Sequence, residues 1–350
     1  MTAQQAAQQT SQQVAQLAEP VRIGMLGASR IAELAVIDAS EHTGDIRAAV
    51  AARDSERARA YAAAHGFARI HDSYEELIAD DSLDLIYIGL PNGLHAEWTV
   101  RALEAGQSVL VEKPFAANLA EFDWVAKCLE TSKGWAWEAF HYADHPLIAR
   151  MLELLQTGEI GELREITVHM RMPDPGASDP RWNFDLAGGT MMDLGCYALH
   201  ALLTTGAATG QRLTLDSATA TSYAGDARVD ASVVAELTLG DAGVTLRTSM
   251  EHNELDFSLE LTGTTGSLIL PNFVKPQEDD RLIACAGGVE REERVGTVSS
   301  YVYQLKRIRS ELRAGVKNRE HLTRSRDTMA LIDEIYVATG LPLRPGRLNN

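Results

Sequence analysis

The chain predicts an α/β Rossmann domain followed by an α+β domain with a large, mostly antiparallel sheet. Three observations carry this. From Val21 to about Ala139, short continuous apolar runs alternate with helical stretches, as in a parallel sheet covered on both faces. Beyond that point the runs alternate apolar and polar residues between Gly-rich turns, as in an antiparallel sheet with one open face. The length, 350 residues, exceeds what one small core needs.

Taken in order, residues 1–20 are rich in Gln and Ala and read as a disordered tail. They have no basic start, no long apolar core and no twin-arginine pair, so a secretory leader is not expected. The nucleotide-binding unit is expected over 21–140. Val21–Leu26 is its first strand, followed by a helix from about Ser29. Ile46–Ala51 is the second strand, and an Ala- and Arg-rich helix follows over Ser55–His65. Leu85–Ile88 and Ser108–Val111 are further buried strands. A second unit over 141–350 opens with a helix, His145–Gln156. Its alternating segments include 161–172, Ser232–Leu237 and Val244–Arg247, and one helix carries Asp193 and Tyr197. A last amphipathic helix, Leu322–Thr339, is stopped by Gly340 and Pro342.

The formal charge of −17 argues against nucleic acid or an anionic membrane as partner. No apolar stretch reaches the roughly 18 residues of a membrane span. Cys128, Cys196 and Cys285 lie far apart and odd in number, which points to free thiols and a cytoplasmic setting.

The chemistry is expected in four places. Gly27-Ala28-Ser29-Arg30-Ile31-Ala32 follows the first strand. Gly27 permits the tight turn, Ser29 stands where a second glycine often lets a pyrophosphate approach, and Ala32 packs the helix whose N-terminus receives the phosphates. The second strand ends Arg53-Asp54. The arginine suits the 2′-phosphate of NADP, whereas Asp54 one residue on keeps NAD open. Lys113, in Glu112-Lys113-Pro114, is extended because it precedes proline, at the strand edge where ligands bind. Asp193 and Tyr197, four apart, share one helix face behind Gly188-Gly189. A lysine ammonium beside Tyr197 would favour its phenolate and create an acid–base group. Pro91-Asn92-Gly93-Leu94-His95 forms a loop beside the cofactor, with Asn92 and His95 as contacts, though an Asn-Gly turn explains it equally well. His141 and His145 flank Asp144, but no third ligand set accompanies them, so no metal is expected.

These motifs resemble the glucose–fructose oxidoreductase/inositol dehydrogenase (Gfo/Idh/MocA) family, over roughly residues 21–345. Within it the chain looks most similar to members like dimeric dihydrodiol dehydrogenase and NADP-dependent xylose dehydrogenase, which share the tyrosine. The resemblance implies a nicotinamide cofactor, NADP with NAD possible, bound by Gly27, Ser29, Arg30, Ile31, Arg53, Pro91, Asn92, His95, Glu112 and Lys113. It implies a catalytic set of Lys113, Tyr197 and Asp193, and a homodimer or higher homo-oligomer through the open sheet face. The expected reaction moves hydride between the nicotinamide and a hydroxyl of a sugar or cyclic diol, with Arg181 and His200 touching the substrate. A non-catalytic dinucleotide or sugar sensor on the same fold is the alternative. Ala143-Asp144 departs from the Arg-Tyr common in close relatives, and a change of substrate or a loss of activity is expected from it.

Overall fold

A computed structural model describes residues 19–347. The tail expected over 1–20 lies, apart from its last two residues, outside the described residues.

The apolar runs of the first part form six parallel strands: β1 (Arg22–Leu26), β2 (Ile46–Ala51), β3 (Arg69–His71), β4 (Leu85–Ile88), β5 (Val109–Val111) and β6 (Ala136–Glu138). Their order is β3-β2-β1-β4-β5-β6. Every residue of β4 and β5 is buried, which is why these strands read as continuous apolar runs. The order reverses between β1 and β4, and that reversal opens a crevice at their C-terminal ends. The helix Ser55–His65 starts at Asp54, whose carboxylate accepts the Arg57 N–H at 2.8 Å.

Eight strands build the second sheet: β7 (Leu163–Arg171), β8 (Leu213–Tyr223), β9 (Asp226–Leu239), β10 (Ala242–Ser249), β11 (Leu259–Gly263), β12 (Gly266–Leu270), β13 (Arg281–Ala286) and β14 (Val289–Arg294). They run in the order β14-β13-β12-β11-β7-β10-β9-β8. All neighbours are antiparallel except β7 and β10. One face is core: Val233, Ala235, Leu237 and Leu239 of β9 are buried with Val244 and Leu246 of β10. The interleaved Val234, Glu236 and Arg247 face solvent.

The helix Cys196–Thr209 lies on the covered face and packs against β7, Pro146–Gln156 and Arg319–Thr339. Arg319–Thr339 also touches the Rossmann helix Leu119–Thr131, so the last helix joins the two layers. Two short strands, β3 and β6, the strands β13 and β14, and the helices Tyr74–Ile78, His95–Glu104, Leu119–Thr131 and Ser300–Ala314 are additional to the elements read from sequence. Three residues are too few for strand periodicity to appear. Among the described residues no helix is long and apolar enough to cross a membrane.

Candidate active site

A cleft of about 940 Å³ runs from the β1 turn to the helix carrying Tyr197. At its outer end the chain leaves β1 through Gly27 at φ +93°, where a Cβ would sit 2.8 Å from Leu90 Cδ2. Only glycine fits that turn. Ser29 follows, its carbonyl accepting the Tyr61 hydroxyl at 3.1 Å. Its own hydroxyl is buried without a partner among the described residues, 2.7 Å from where a Cβ on Gly89 would lie. The helix opening at residue 31 brings its unpaired N–H groups to the same turn. Arg30, Arg53 and Arg57 line this end, Arg57 also donating to the Ala28 carbonyl at 2.6 Å. Asp54 is committed to capping its helix, which leaves guanidinium groups as the characteristic chemistry beside it.

The inner end is buried and densely bonded. Glu112 accepts the Tyr87 hydroxyl at 2.8 Å, and the next peptide bond but one, Lys113-Pro114, is cis. Lys113 Nζ donates to the Asp193 carbonyl at 2.8 Å and to its Oδ1 at 3.0 Å. Arg181 Nε pairs with the other carboxylate oxygen at 2.8 Å, and its Nη1 lies 3.2 Å from Asp179. Burial pushes the Asp193 carboxyl up, but the Lys113 and Arg181 cations outweigh it and hold it below the usual carboxylate range. Burial also opposes the Lys113 ammonium, and the Asp193 carboxylate overcomes it to raise that pKa.

Tyr197 reaches the same space because Met191–Gly195 is wound as a π-helical turn before the α-helix begins. The Lys113 ammonium lies 5.1 Å from the Tyr197 ring centroid, over its face, while the phenol oxygen bonds His141 Nε2 at 3.1 Å. Burial, then neighbouring Tyr301 and Glu112, raise the phenol well above its ordinary pKa. The lysine therefore stands near the tyrosine without bonding its oxygen, and the expected lowering of the phenol pKa is absent here.

The start of this helix is anchored by the C-terminal segment. Arg344, fully buried, donates to the Gly188 carbonyl and ion-pairs with Asp230, whose second oxygen accepts the Met191 N–H at 2.7 Å. Tyr336 adds a hydroxyl to Asp230 at 3.1 Å.

Family models match both parts of the chain: an oxidoreductase family with an NAD-binding Rossmann fold over 21–140, and the GFO/IDH/MocA C-terminal domain over 148–269. An uncharacterized oxidoreductase of Rhizobium meliloti is 31% identical over 323 residues, 90% of this chain and 96% of the relative. The chain belongs to the Gfo/Idh/MocA oxidoreductase family. It is also 44% identical over 180 residues to D-xylose 1-dehydrogenase (NADP(+)) 2 of Haloferax volcanii, a match over 51% of this chain and 55%, about half, of the relative's length. Among solved structures it resembles KijD10, a 3-ketoreductase from Actinomadura kijaniata crystallised with NADP and TDP-benzene. That likeness has a TM-score of 0.84 and 25% identity, over 92% of this chain and 98% of the other.

Within this family frame the structure gathers Gly27, Ser29, Arg30, Ile31, Arg53, Pro91, Asn92, His95, Glu112, Lys113, Arg181, Asp193 and Tyr197 around one cleft. Three expectations change. His95 is fully buried, with Nδ1 and Nε2 each 2.7 Å from a carbonyl, of Pro114 and Leu90. The neutral ring donates its one N–H to one of these carbonyls and packs its other nitrogen against the second, so neither nitrogen is turned to the cleft. His200 does not reach the cleft. It stacks on Phe140 at 4.0 Å, and its Nδ1 bonds the Tyr142 hydroxyl at 2.7 Å. One turn along the helix carries it behind Tyr197, onto a second cavity of about 340 Å³. Ala143 and Asp144 line that second cavity too, and Asp144 pairs with Arg307 at 2.6 Å. Their departure from the common pattern thus alters the region behind the cleft, not its wall. His141 and Arg57 line the cleft and were not singled out as contacts. Arg57's place one helical turn beyond Asp54 was a readable signal, whereas His141 meets Tyr197 only through tertiary packing. Among the described residues no group of three or more His, Cys, Asp or Glu side chains is placed to hold a metal.

Proposed function

We propose that this chain is an NADP-dependent dehydrogenase that interconverts a sugar or cyclic-diol hydroxyl and the corresponding carbonyl. The observation that carries the reading is the partly buried Lys113–Asp193–Arg181 cluster with Tyr197, at the C-terminal edge of the Rossmann sheet. The outer cleft fits a dinucleotide. The orphaned Ser29 hydroxyl, the tight Gly27 turn and the helix N-terminus suit a pyrophosphate, and Arg30, Arg53 and Arg57 suit a 2′-phosphate. NADP, when bound, supplies the hydride acceptor or donor.

The protein's part is position and proton. Asp193, kept ionised by Lys113 and Arg181, accepts a substrate hydroxyl and fixes the sugar's orientation. Tyr197 exchanges a proton with the reacting oxygen. Lys113 holds positive charge where the developing alkoxide needs it. The names of the xylose dehydrogenase and the NADP-bound ketoreductase favour sugar chemistry with NADP. Self-association through the open face of the eight-stranded sheet belongs to the same proposal.

The test is reduction of NADP⁺ and NAD⁺, followed at 340 nm, against a panel of aldoses, polyols and cyclic diols. Turnover with one class, lost in Tyr197→Phe, is the expected result. Tight NADPH binding without turnover across the panel would replace the enzyme with a sensor.

A further inference from the structure

The Tyr197 hydroxyl is the group on which the proposed reaction turns, and its one partner among the described residues is His141 Nε2 at 3.1 Å. The other ring nitrogen lies 2.8 Å from Ser300 Oγ, and that oxygen lies 3.3 Å from Gln277 Oε1. Gln277 borders the cleft and is only partly buried. A file of exchangeable protons thus leads from Tyr197 through an imidazole to the buried Ser300 hydroxyl, which donates to Gln277 at the edge of the cleft. The ring stacks on Tyr301, with centroids 3.8 Å apart and 26° between the planes.

We propose that His141 is the relay residue that carries the reaction's proton between Tyr197 and solvent, passing it through the neutral ring by exchange of tautomers. The inference rests on the reading of Tyr197 as the acid–base group. In the oxidative direction the substrate C–H pair leaves as hydride to the bound nicotinamide, and the C–O bond becomes a carbonyl. The substrate hydroxyl proton moves to the Tyr197 oxygen while the phenol's own proton moves to His141 Nε2. The proton on Nδ1 moves to Ser300 Oγ, and the serine's proton passes to water beside Gln277. Two electrons go to the nicotinamide and one proton reaches solvent. No charge is left on the ring, which resets between turnovers by flipping so that a bare nitrogen again faces Tyr197, and reduction runs the same file backwards.

The surroundings favour a neutral relay over a stored imidazolium. The ring is buried, and the ammonium groups of Lys113 and Lys275 face it, from the end of β5 and from the loop after β12. Its other titratable neighbours, Tyr197 and Tyr301, are phenols that burial keeps protonated. Burial first, then the two lysines, pull the imidazole down to about 3, so a lasting positive charge is disfavoured. The same burial blocks a free phenolate, so Tyr197 needs a partner that accepts its proton as it receives another. Glutamine can hydrogen-bond in place of His141 but cannot pass a proton from one end to the other.

Three measurements on the full chain with NADP⁺ and the best substrate of the panel decide it. In single turnover, His141→Gln should slow hydride transfer about 10²-fold while NADPH affinity and substrate KM stay within about threefold. In His141→Ala, added imidazole should restore much of the lost rate, and methylimidazole blocked at one nitrogen should not. The wild-type rate in H₂O–D₂O mixtures should curve as several protons in flight require, and become linear in His141→Gln. That wild-type curve needs no variant to fold. A linear wild-type plot, or a His141→Gln rate within about twofold of wild type, overturns the relay. If Tyr197→Phe keeps full hydride transfer, the acid–base assignment itself fails. If it loses transfer while His141→Gln does not, only the relay falls.

Discussion

The two ends of the cleft handle charge in opposite ways. At the outer end the Arg30 side chain is 86% exposed and reaches Asp179 only at 3.5 Å. Arg53 and Arg57 are likewise exposed. At the inner end Lys113 and Asp193 expose 12% and 16% of their side chains and sit 3.0 Å apart. Exposed guanidinium groups are screened by water and salt and act nearly independently. Buried ions depend on one another, because removing one strands its partner in a low dielectric. On the proposed reading, recognition at the outer end is therefore distributed and tolerant, and chemistry at the inner end is concentrated and brittle.

Lys113→Met gives the sharpest break. It removes the cation that holds both the Asp193 carbonyl and carboxylate, and it leaves Tyr197 without positive charge over its ring. We expect kcat/KM to fall by about 10²–10⁴, with NADPH binding weakened far less. A loss confined to KM would mean that Lys113 only holds the cofactor.

The next effect is on the support of the inner end. Arg344 and Asp230 are fully buried, and their pair fixes Gly188 and Met191 at the start of the Tyr197 helix. Arg344→Met should cost about 3–5 kcal/mol, read by urea unfolding, because Asp230 keeps its charge without its counter-ion. An unchanged unfolding midpoint would show that Asp230 takes up a proton at little cost. At the outer end no single arginine substitution should affect stability on that scale.

That contrast also explains what the sequence made legible. The parallel strands were readable because every residue of β4 and β5 is buried, and the helix Ser55–His65 because its Asp54 cap and Gly66 stop are local signals. The outer end is written within one stretch of chain, so Gly27, Ser29, Arg30 and Arg53 could be placed together. The inner end joins segments distant in sequence. Lys113 and Asp193 could be brought together by family resemblance. The Tyr197–His141 bond and the Arg344–Asp230 pair exist only through packing. His200 was misplaced for a related reason: side-chain spacing along a helix gives its face, but not which neighbour, here Phe140, stands in between.

Behind the cleft, on the second cavity, lies Glu138 at the tip of β6. One carboxyl oxygen accepts the Phe115 N–H at 2.7 Å, and the Ser325 hydroxyl lies beside the carboxyl. Burial pushes this carboxyl up to about 7 from an ordinary 4.5. The folded state then holds the proton more tightly than the unfolded chain. Its stabilising contribution is complete below about 4.5 and is lost as pH rises towards about 7. Glu138→Gln should therefore be more stable than wild type at pH 8, by about 1–3 kcal/mol, with the difference vanishing near pH 4.5. Parallel stability–pH curves for the two proteins would mean that water satisfies the carboxylate.

The smallest effect belongs to the exposed arginines, and it tests the contrast most directly. Arg53 stands at the end of β2, next to an aspartate already used as a helix cap, so its guanidinium is free to meet a 2′-phosphate. Arg30 and Arg57 share that space, so Arg53→Ala should weaken NADP⁺ relative to NAD⁺ only about tenfold, a cost of about 1.4 kcal/mol. The loss should appear in KM for NADP⁺ and leave kcat unchanged, because the group lies away from the hydride. It should also shrink as salt rises, since exposed charges are screened over about 10 Å at 0.1 M. A loss that ignores salt, or that lowers kcat, would mean the outer end is coupled to the inner one, and the division between tolerant recognition and brittle chemistry would not hold.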